Sequence, residues 1–210
     1  MLRYLAGIGI LAIWTTAACA ADWPTYMHDN TRSGITDESL AAPLSKVWVY
    51  KAQNAPRPAW PAPAKQDFWH GIRELRPEVT YDRAFHAVIA GDRVYFGSSA
   101  DDKVYCLDAT TGQEVWSFFA GGPVRLAPTI ADGRVYFGSD DGCVYCLDAA
   151  KGKLEWKHRS PASDRRIPGN GRVISYVPAR TSVIVDNGVC YYASGLFPPD
   201  SVFLFALKAS

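Results

Sequence analysis

Most of what would announce a chemistry is missing from this 210-residue sequence. The formal net charge is only +1, which argues against a nucleic-acid or strongly acidic partner. The four histidines, His28, His70, His86 and His158, are scattered, and no pair has metal-ligand spacing. No two cysteines are adjacent, and no nucleophile stands in a recognisable arrangement with a base. Beyond the first twenty residues no apolar run is long enough to cross a membrane as a helix. From Val94 to Trp156 there is no helical stretch; short strands and turn residues alternate instead.

The first residues address the chain rather than fold it. Arg3 supplies a positive charge, residues 5–15 are apolar, and Ala18-Cys19-Ala20 has the small-x-small pattern of a signal cleavage site. Cleavage is expected between Ala20 and Ala21, with export to the periplasm or cell envelope. The alternative is a lipid anchor on Cys19, although Leu is absent three positions before it. Residues 21–46 then form an N-terminal extension.

What is present is a repeat. VYFGSSADDKVYCLDATTGQEVW, from Val94 to Trp116, recurs as VYFGSDDGCVYCLDAAKGKLEW, from Val135 to Trp156. The two valines stand 41 positions apart and the two tryptophans 40. A period of roughly 40 residues without helix is the mark of a four-stranded propeller blade. The spacing predicts strands near 86–89, 93–97, 103–108 and 114–119 in one blade. In the next it predicts strands near 127–130, 134–138, 143–148 and 153–158. A degenerate third copy runs from a strand at Thr181 to Val185 through Asp186-Asn187-Gly188, then 189–194, and after an insertion Leu204-Phe205-Ala206-Leu207. The fold class is therefore all-β, with whole blades at 84–119 and 123–158 and an incomplete one at 177–210. Residues 47–50, around Trp48, read as an unpaired outer strand. Three blades are too few to close a ring, so the expectation is the N-terminal part of a seven- or eight-bladed propeller, with an exposed strand edge at 201–207.

The residues at the end of each repeat carry a resemblance. Leu107-Asp108-Ala109-Thr110-Thr111-Gly112-Gln113-Glu114-Val115-Trp116 resembles the tryptophan-docking motif of the pyrroloquinoline quinone (PQQ) repeat propellers, and Asp148, Gly152 and Trp156 repeat it. Asp108 and Asp148 are suited to accept backbone N–H groups in the turn they open. Gly112 and Gly152 supply a turn geometry that a Cβ resists. Trp116 and Trp156 are suited to fill the space between neighbouring blades, buried and away from the axis. The segment from Asp22-Trp23-Pro24-Thr25-Tyr26 through Asp29, Arg32, Ser33 and Gly34 is similar to the mature N-terminus of envelope proteins in that family. A competing repeat family marked by Gly-His and Trp-Asp pairs is not supported, since neither dipeptide occurs.

Four cysteines follow the leader: Cys106, Cys143, Cys146 and Cys190. Cys143 and Cys146 have redox or zinc spacing, but on a strand three positions put them on opposite faces. Buried free thiols are expected, with a disulfide as the alternative in an oxidising compartment. The Pro-rich segment 52–82 reads as a loop across one end of the propeller or as a partner-binding loop. Arg165-Arg166, in the loop 159–172, reads as solvated or as an anion contact. Asp82, Arg83 and His86 form a weak polar group that a turn explains. Asp101-Asp102 and Asp140-Asp141-Gly142 resemble pieces of a calcium loop, but turn chemistry accounts for them better.

Three functions fit. The resemblance implies either a non-catalytic envelope propeller that binds protein partners or a PQQ- and calcium-dependent alcohol- or sugar-type dehydrogenase. The third is a module attached to a larger envelope enzyme. No catalytic, cofactor or metal residue can be named from this chain, and no cofactor is expected for it alone.

Overall fold

The computed structural model describes residues 21–40, 42–59, 84–159, 164–169, 171–195 and 202–210. The leader with Cys19 and Ala20, and Asp82, Arg83, His70 and most of the Pro-rich segment, lie outside the described residues.

Blade one consists of β1 (Ala87–Ala90), β2 (Arg93–Ser98), β3 (Lys103–Asp108) and β4 (Glu114–Phe119). Blade two consists of β5 (Thr129–Ala131), β6 (Arg134–Gly138), β7 (Cys143–Asp148) and β8 (Leu154–Arg159). A two-stranded hairpin follows, β9 (Arg166–Gly169) and β10 (Arg172–Ser175). Blade three holds β11 (Ile184–Asp186), β12 (Val189–Ser194) and β13 (Phe203–Lys208). Every pairing is antiparallel and between sequence neighbours. Among the described residues there is no helix.

The strand alternation that the sequence dictates becomes packing between blades. Val144 and Cys146 point into the cluster shared with blade three, which includes Val183, Cys190 and Tyr192. Cys143, Tyr145 and Leu147 point the other way, toward Val88, Tyr95, Val104 and Cys106 of blade one. Each blade carries one aromatic stack at the same place: Phe96 on Tyr105, Phe137 on Tyr145 and Tyr192 on Phe205, each 5.1 Å between ring centroids. Gly97 and Gly138 are bare because the linker to the next blade lies on them. A Cβ would stand 2.5 Å from Val124 Cγ1 in one case and 2.4 Å from the Ala179 carbonyl oxygen in the other.

The segment 47–50, read as unpaired, forms no ladder among the described residues; Trp48 and Tyr50 pack on the Phe96, Tyr105 and Leu107 cluster of blade one. Two expectations need correction. The first strand of blade three is shorter than expected, starting at Ile184 rather than Thr181. The Thr181 hydroxyl takes the place of a ladder, accepting from the Ala193 N–H at 2.8 Å and donating to the Ala193 carbonyl at 3.0 Å. The stretch after β8 is also more than a loop. Val173 pairs with Pro168 and Ile174 with Ile167 in its hairpin, with Gly171 at φ 75° making the turn.

The N-terminal extension crosses the first strands of all three blades. Trp23 exchanges backbone hydrogen bonds with Ile89 at 2.8 and 2.9 Å, and Ile130 N–H donates to the Pro24 carbonyl at 2.8 Å. Asn30 Nδ2 reaches the Val185 carbonyl at 2.9 Å. A donor chain runs inward from Arg32 to Thr25 (2.9 Å), Thr25 to Thr129 (2.8 Å) and Thr129 to the buried Val183 carbonyl (2.6 Å).

Candidate functional site

Two sets of residues recur in space, at opposite ends of the blades. The first is the docking turn after β3 and β7. Asp108 Oδ1 accepts the Thr110 N–H at 3.0 Å, and both the N–H and hydroxyl of Thr111 at 2.8 and 3.0 Å. Those donors hold its carboxyl below the usual carboxylate range. Asp148 accepts from the Lys151 N–H at 2.7 Å. Gly112 and Gly152, at φ 71° and 66°, close the turns by donating to the Asp108 and Asp148 carbonyls, both at 2.8 Å.

These turns seat the tryptophan of the preceding unit. Trp48 Nε1 donates to the Ala109 carbonyl at 2.8 Å, Trp116 Nε1 to Ala149 at 3.0 Å and Trp156 Nε1 to Ala209 at 3.3 Å. The indole lies on the turn glycine: a Cβ on Gly112 would meet Trp48 Cδ2 at 2.6 Å. Trp116 and Trp156 are partly rather than largely buried, since the outermost strands that carry them have one side toward solvent. A β-bulge at Cys106/Leu107, and another at Cys146/Leu147, shifts the register beside each tryptophan. The sequence reading missed the tyrosines that join this arrangement. Tyr95 and Tyr136 hydroxyls donate to the same Ala149 and Ala209 carbonyls, at 3.4 and 2.9 Å. Their shared position in VYFGS was the available signal.

The second set gathers at the opposite end, on the turns after β2 and β6 and the linkers between blades. Asp140, whose side chain is 1% exposed, receives two guanidinium groups. Arg125 Nε donates at 2.7 Å, and Arg180 donates through Nε and Nη2 at 2.6 and 2.7 Å. Arg125 Nη1 continues to the Arg57 carbonyl at 2.8 Å, and the Arg57 N–H donates to Ser99 Oγ at 2.8 Å. Arg172 binds Asp102 and the Ala100 carbonyl. Burial raises the Asp102 pKa, and the Arg172 charge pulls it back. Asp141 accepts from Tyr145 Oη and from the Cys143 N–H, at 2.5 and 2.9 Å. The acidic turn pairs therefore act as anchors for linker arginines. The available signal was a repeated Pro-x-Arg, Pro123-Val124-Arg125 and Pro178-Ala179-Arg180, at the same place before the first strands of blades two and three.

The remaining candidates do not converge. Arg165 stacks over Tyr176 at 4.1 Å, while Arg166 pairs with Asp164 at 3.3 Å, so the two adjacent arginines diverge. His86 meets Tyr26 edge-on at 5.9 Å, and His158 shares a 2.6 Å hydrogen bond with Tyr192. Among the described residues no three His, Cys, Asp or Glu side chains form a metal-binding group. Cys106, Cys143, Cys146 and Cys190 are buried free thiols. Burial pushes the Cys106, Cys143 and Cys190 thiols up to about 11 and Cys146 to about 12, so none is primed as a nucleophile.

A protein-family model described as outer membrane protein assembly factor BamB (PQQ_2) matches residues 47–192. No curated protein matches the sequence. Among solved structures, the quinohemoprotein alcohol dehydrogenase from Comamonas testosteroni overlaps 93% of this chain and 27% of its own, at 18% identity and a TM-score of 0.64. The quinohemoprotein alcohol dehydrogenase ADHIIG from Pseudomonas putida HK5 overlaps 63% and 20%, at 20% identity and 0.50. BamB from Moraxella catarrhalis overlaps 59% and 32%, at 22% identity and 0.43. The chain thus spans about a third or less of the length of each.

Proposed function

We propose a function for a chain that belongs to the PQQ-repeat family described as outer membrane protein assembly factor BamB: it is an exported, non-catalytic module that binds protein partners in the cell envelope. The observation that carries this reading is the state of its polar residues. The buried acidic and basic groups at the linker end are engaged with one another, with Arg125 and Arg180 on Asp140 and Arg172 on Asp102. The half-exposed aspartates at the docking end, Asp108 and Asp148, hold turns. Among the described residues His28 Nδ1 and Arg172 Nε are the buried side-chain atoms without a hydrogen-bond partner, which leaves little for a substrate there, whereas repeat propellers of this kind offer broad surfaces to partners.

A second reading, the N-terminal part of a PQQ-dependent alcohol- or sugar-type dehydrogenase, is favoured by the 93% overlap with a quinohemoprotein dehydrogenase. PQQ is a tricarboxylate that binds with calcium, so it needs uncommitted cations and a set of oxygen donors. The arginine groups above are instead held by aspartates and carbonyls. Arginines committed in this way are less available to a carboxylate cofactor, which favours the binding role.

The test is a titration of the full-length protein with PQQ and calcium, following quinone absorbance and dye-linked oxidation of alcohols and sugars. No saturable spectral change and no turnover is expected; turnover would establish the second reading instead. Export is checked separately, by fusing residues 1–30 to a reporter that is active only outside the cytoplasm.

A further inference from the structure

We propose that the hydrogen-bonded pair of His158 and Tyr192 is a recognition key between blades two and three, which keeps blade three from docking on the near-identical face of blade one. Each blade turns one face to its successor. On the second to fourth strands of blade one that face carries Tyr95, Val104, Cys106, Trp116 and Phe118. On blade two it carries Tyr136, Val144, Cys146, Trp156 and His158. The registers make these equivalent, since Val104 pairs with Phe118 as Val144 pairs with His158. Position by position the residues are the same, apart from Phe118 against His158. The first strands differ as well, Val88 against Thr129. Thr129, however, donates to the backbone carbonyl of Val183, not to a side chain that distinguishes one blade from another.

The receiving faces change at the matching place. Blade two offers Phe137 stacked on Tyr145, and blade three offers Tyr192 stacked on Phe205. The hydroxyl has moved from one ring of the stack to the other. Phe118 meets Phe137 and Tyr145 at 6.3 and 5.8 Å between centroids, while His158 meets Tyr192 and Phe205 at 6.3 and 5.9 Å. The placement is the same and the chemistry is not. Tyr145 Oη is engaged by Asp141 and by the Gly121 N–H, whereas Tyr192 Oη lies 2.6 Å from His158 Nδ1.

Exchanging the partners is costly in both directions. His158 against the rings of blade two would set Nδ1 beside Phe137, which has no hydroxyl. Phe118 against the rings of blade three would set a hydrocarbon edge where Tyr192 Oη now has a ring nitrogen. A polar atom deprived of its partner at a buried contact costs more than the bond returns when it is made. Neighbouring repeats of similar sequence are prone to dock on the wrong unit. Discrimination between them needs a penalty on the wrong pair as well as a contact in the right one, and this junction supplies both.

The test uses the full-length protein and its variants, produced at matched levels. Stability is read by thermal melting and the native fraction by size-exclusion chromatography. His158→Phe and Tyr192→Phe should each lower the melting midpoint by a few degrees, and the double variant His158→Phe/Tyr192→Phe should recover it. That double variant should nevertheless yield less native protein, down to about half, because two like faces then compete for blade three. Adding Phe118→His and Phe137→Tyr to it moves the pair to the first junction and should restore the yield. An unchanged native fraction in His158→Phe/Tyr192→Phe overturns the proposal. So does a loss that the moved pair fails to restore, or a double variant that melts as low as the two single losses combined.

Discussion

Trp116 rests on Gly152. A methyl group at Gly152 would stand 2.5 Å from the indole Cδ2 and 2.6 Å from Cε3. Gly152→Ala should therefore displace the indole and cost about 1–3 kcal/mol, the range for overpacking, beyond the strain of its positive φ. Gly133 is the control: its φ is 73°, but nothing lies within 4 Å of a Cβ there. Gly133→Ala isolates the strain, and the difference between the two in urea unfolding measures the ring contact. Equal losses would mean that the ring moves away freely.

Removing the tryptophan itself is the complementary change. Trp116→Ala should cost about 3 kcal/mol, the low end for large truncations, because the ring is only partly buried. Tyr95→Phe should cost less, since the Ala149 carbonyl keeps its Trp116 donor and loses only a 3.4 Å bond. A loss under about 1 kcal/mol for Trp116→Ala in the same unfolding assay would contradict the docking role.

Asp140 holds two linkers at once. Asp140→Ala should leave the guanidinium groups of Arg125 and Arg180 without their shared carboxylate, and cost about 3–5 kcal/mol. Replacing Arg125 and Arg180 by Leu and Met together with Asp140→Ala should recover much of that loss. If the single substitution is tolerated in thermal melts, the linkers are held by other contacts.

Alkaline pH should loosen the fold. The four thiols have folded-state values of about 11 to 12, against an ordinary 9.0. The unfolded chain therefore loses these protons first as pH rises above 9.0, and unfolding becomes more favourable between 9.0 and about 11 for Cys106, Cys143 and Cys190, and up to about 12 for Cys146. Below 9.0 this contribution is fully present and constant. The slope is on the order of 1.4 kcal/mol per pH unit for each thiol. Melting temperature should be flat in this respect up to pH 8 and lower at pH 10. Native thiols should resist an aromatic disulfide reagent at pH 8 and react only after denaturation; rapid native reaction would refute their burial.

The blades were legible because strand alternation and turn chemistry are local. VYFGS, the following acidic turn and LDA…G…W repeat within one short span, so both whole blades could be placed to within a few residues. What could not be read was what crosses between repeats. Asp140 looks like a turn residue until Arg125 and Arg180 arrive from two linkers; both come from a repeated Pro-x-Arg, but the sequence does not say that they meet on one carboxylate. The docking glycines were legible as turn residues, but not as the surface on which an indole lies. The hairpin of β9 and β10 was hidden because Pro168 argues against a strand; it is tolerated there because a two-stranded ribbon has only edge strands.

The crossing of the first strands by residues 22–30 has a consequence for the order of events in folding. The bond from Asn30 to the Val185 carbonyl spans 155 positions, so this early segment cannot be fully seated until blade three exists. Blades one and two form from neighbouring strands and can close quickly, whereas this segment pays a long loop-closure entropy and docks late. Its seating fastens three finished units together. Refolding followed by hydrogen exchange should protect β2, β3, β6 and β7 early and the Ile89 and Ile130 amides last. Thr129→Val, which breaks the donor chain to Val183, should slow or weaken that final phase while the blades still assemble at their normal rate.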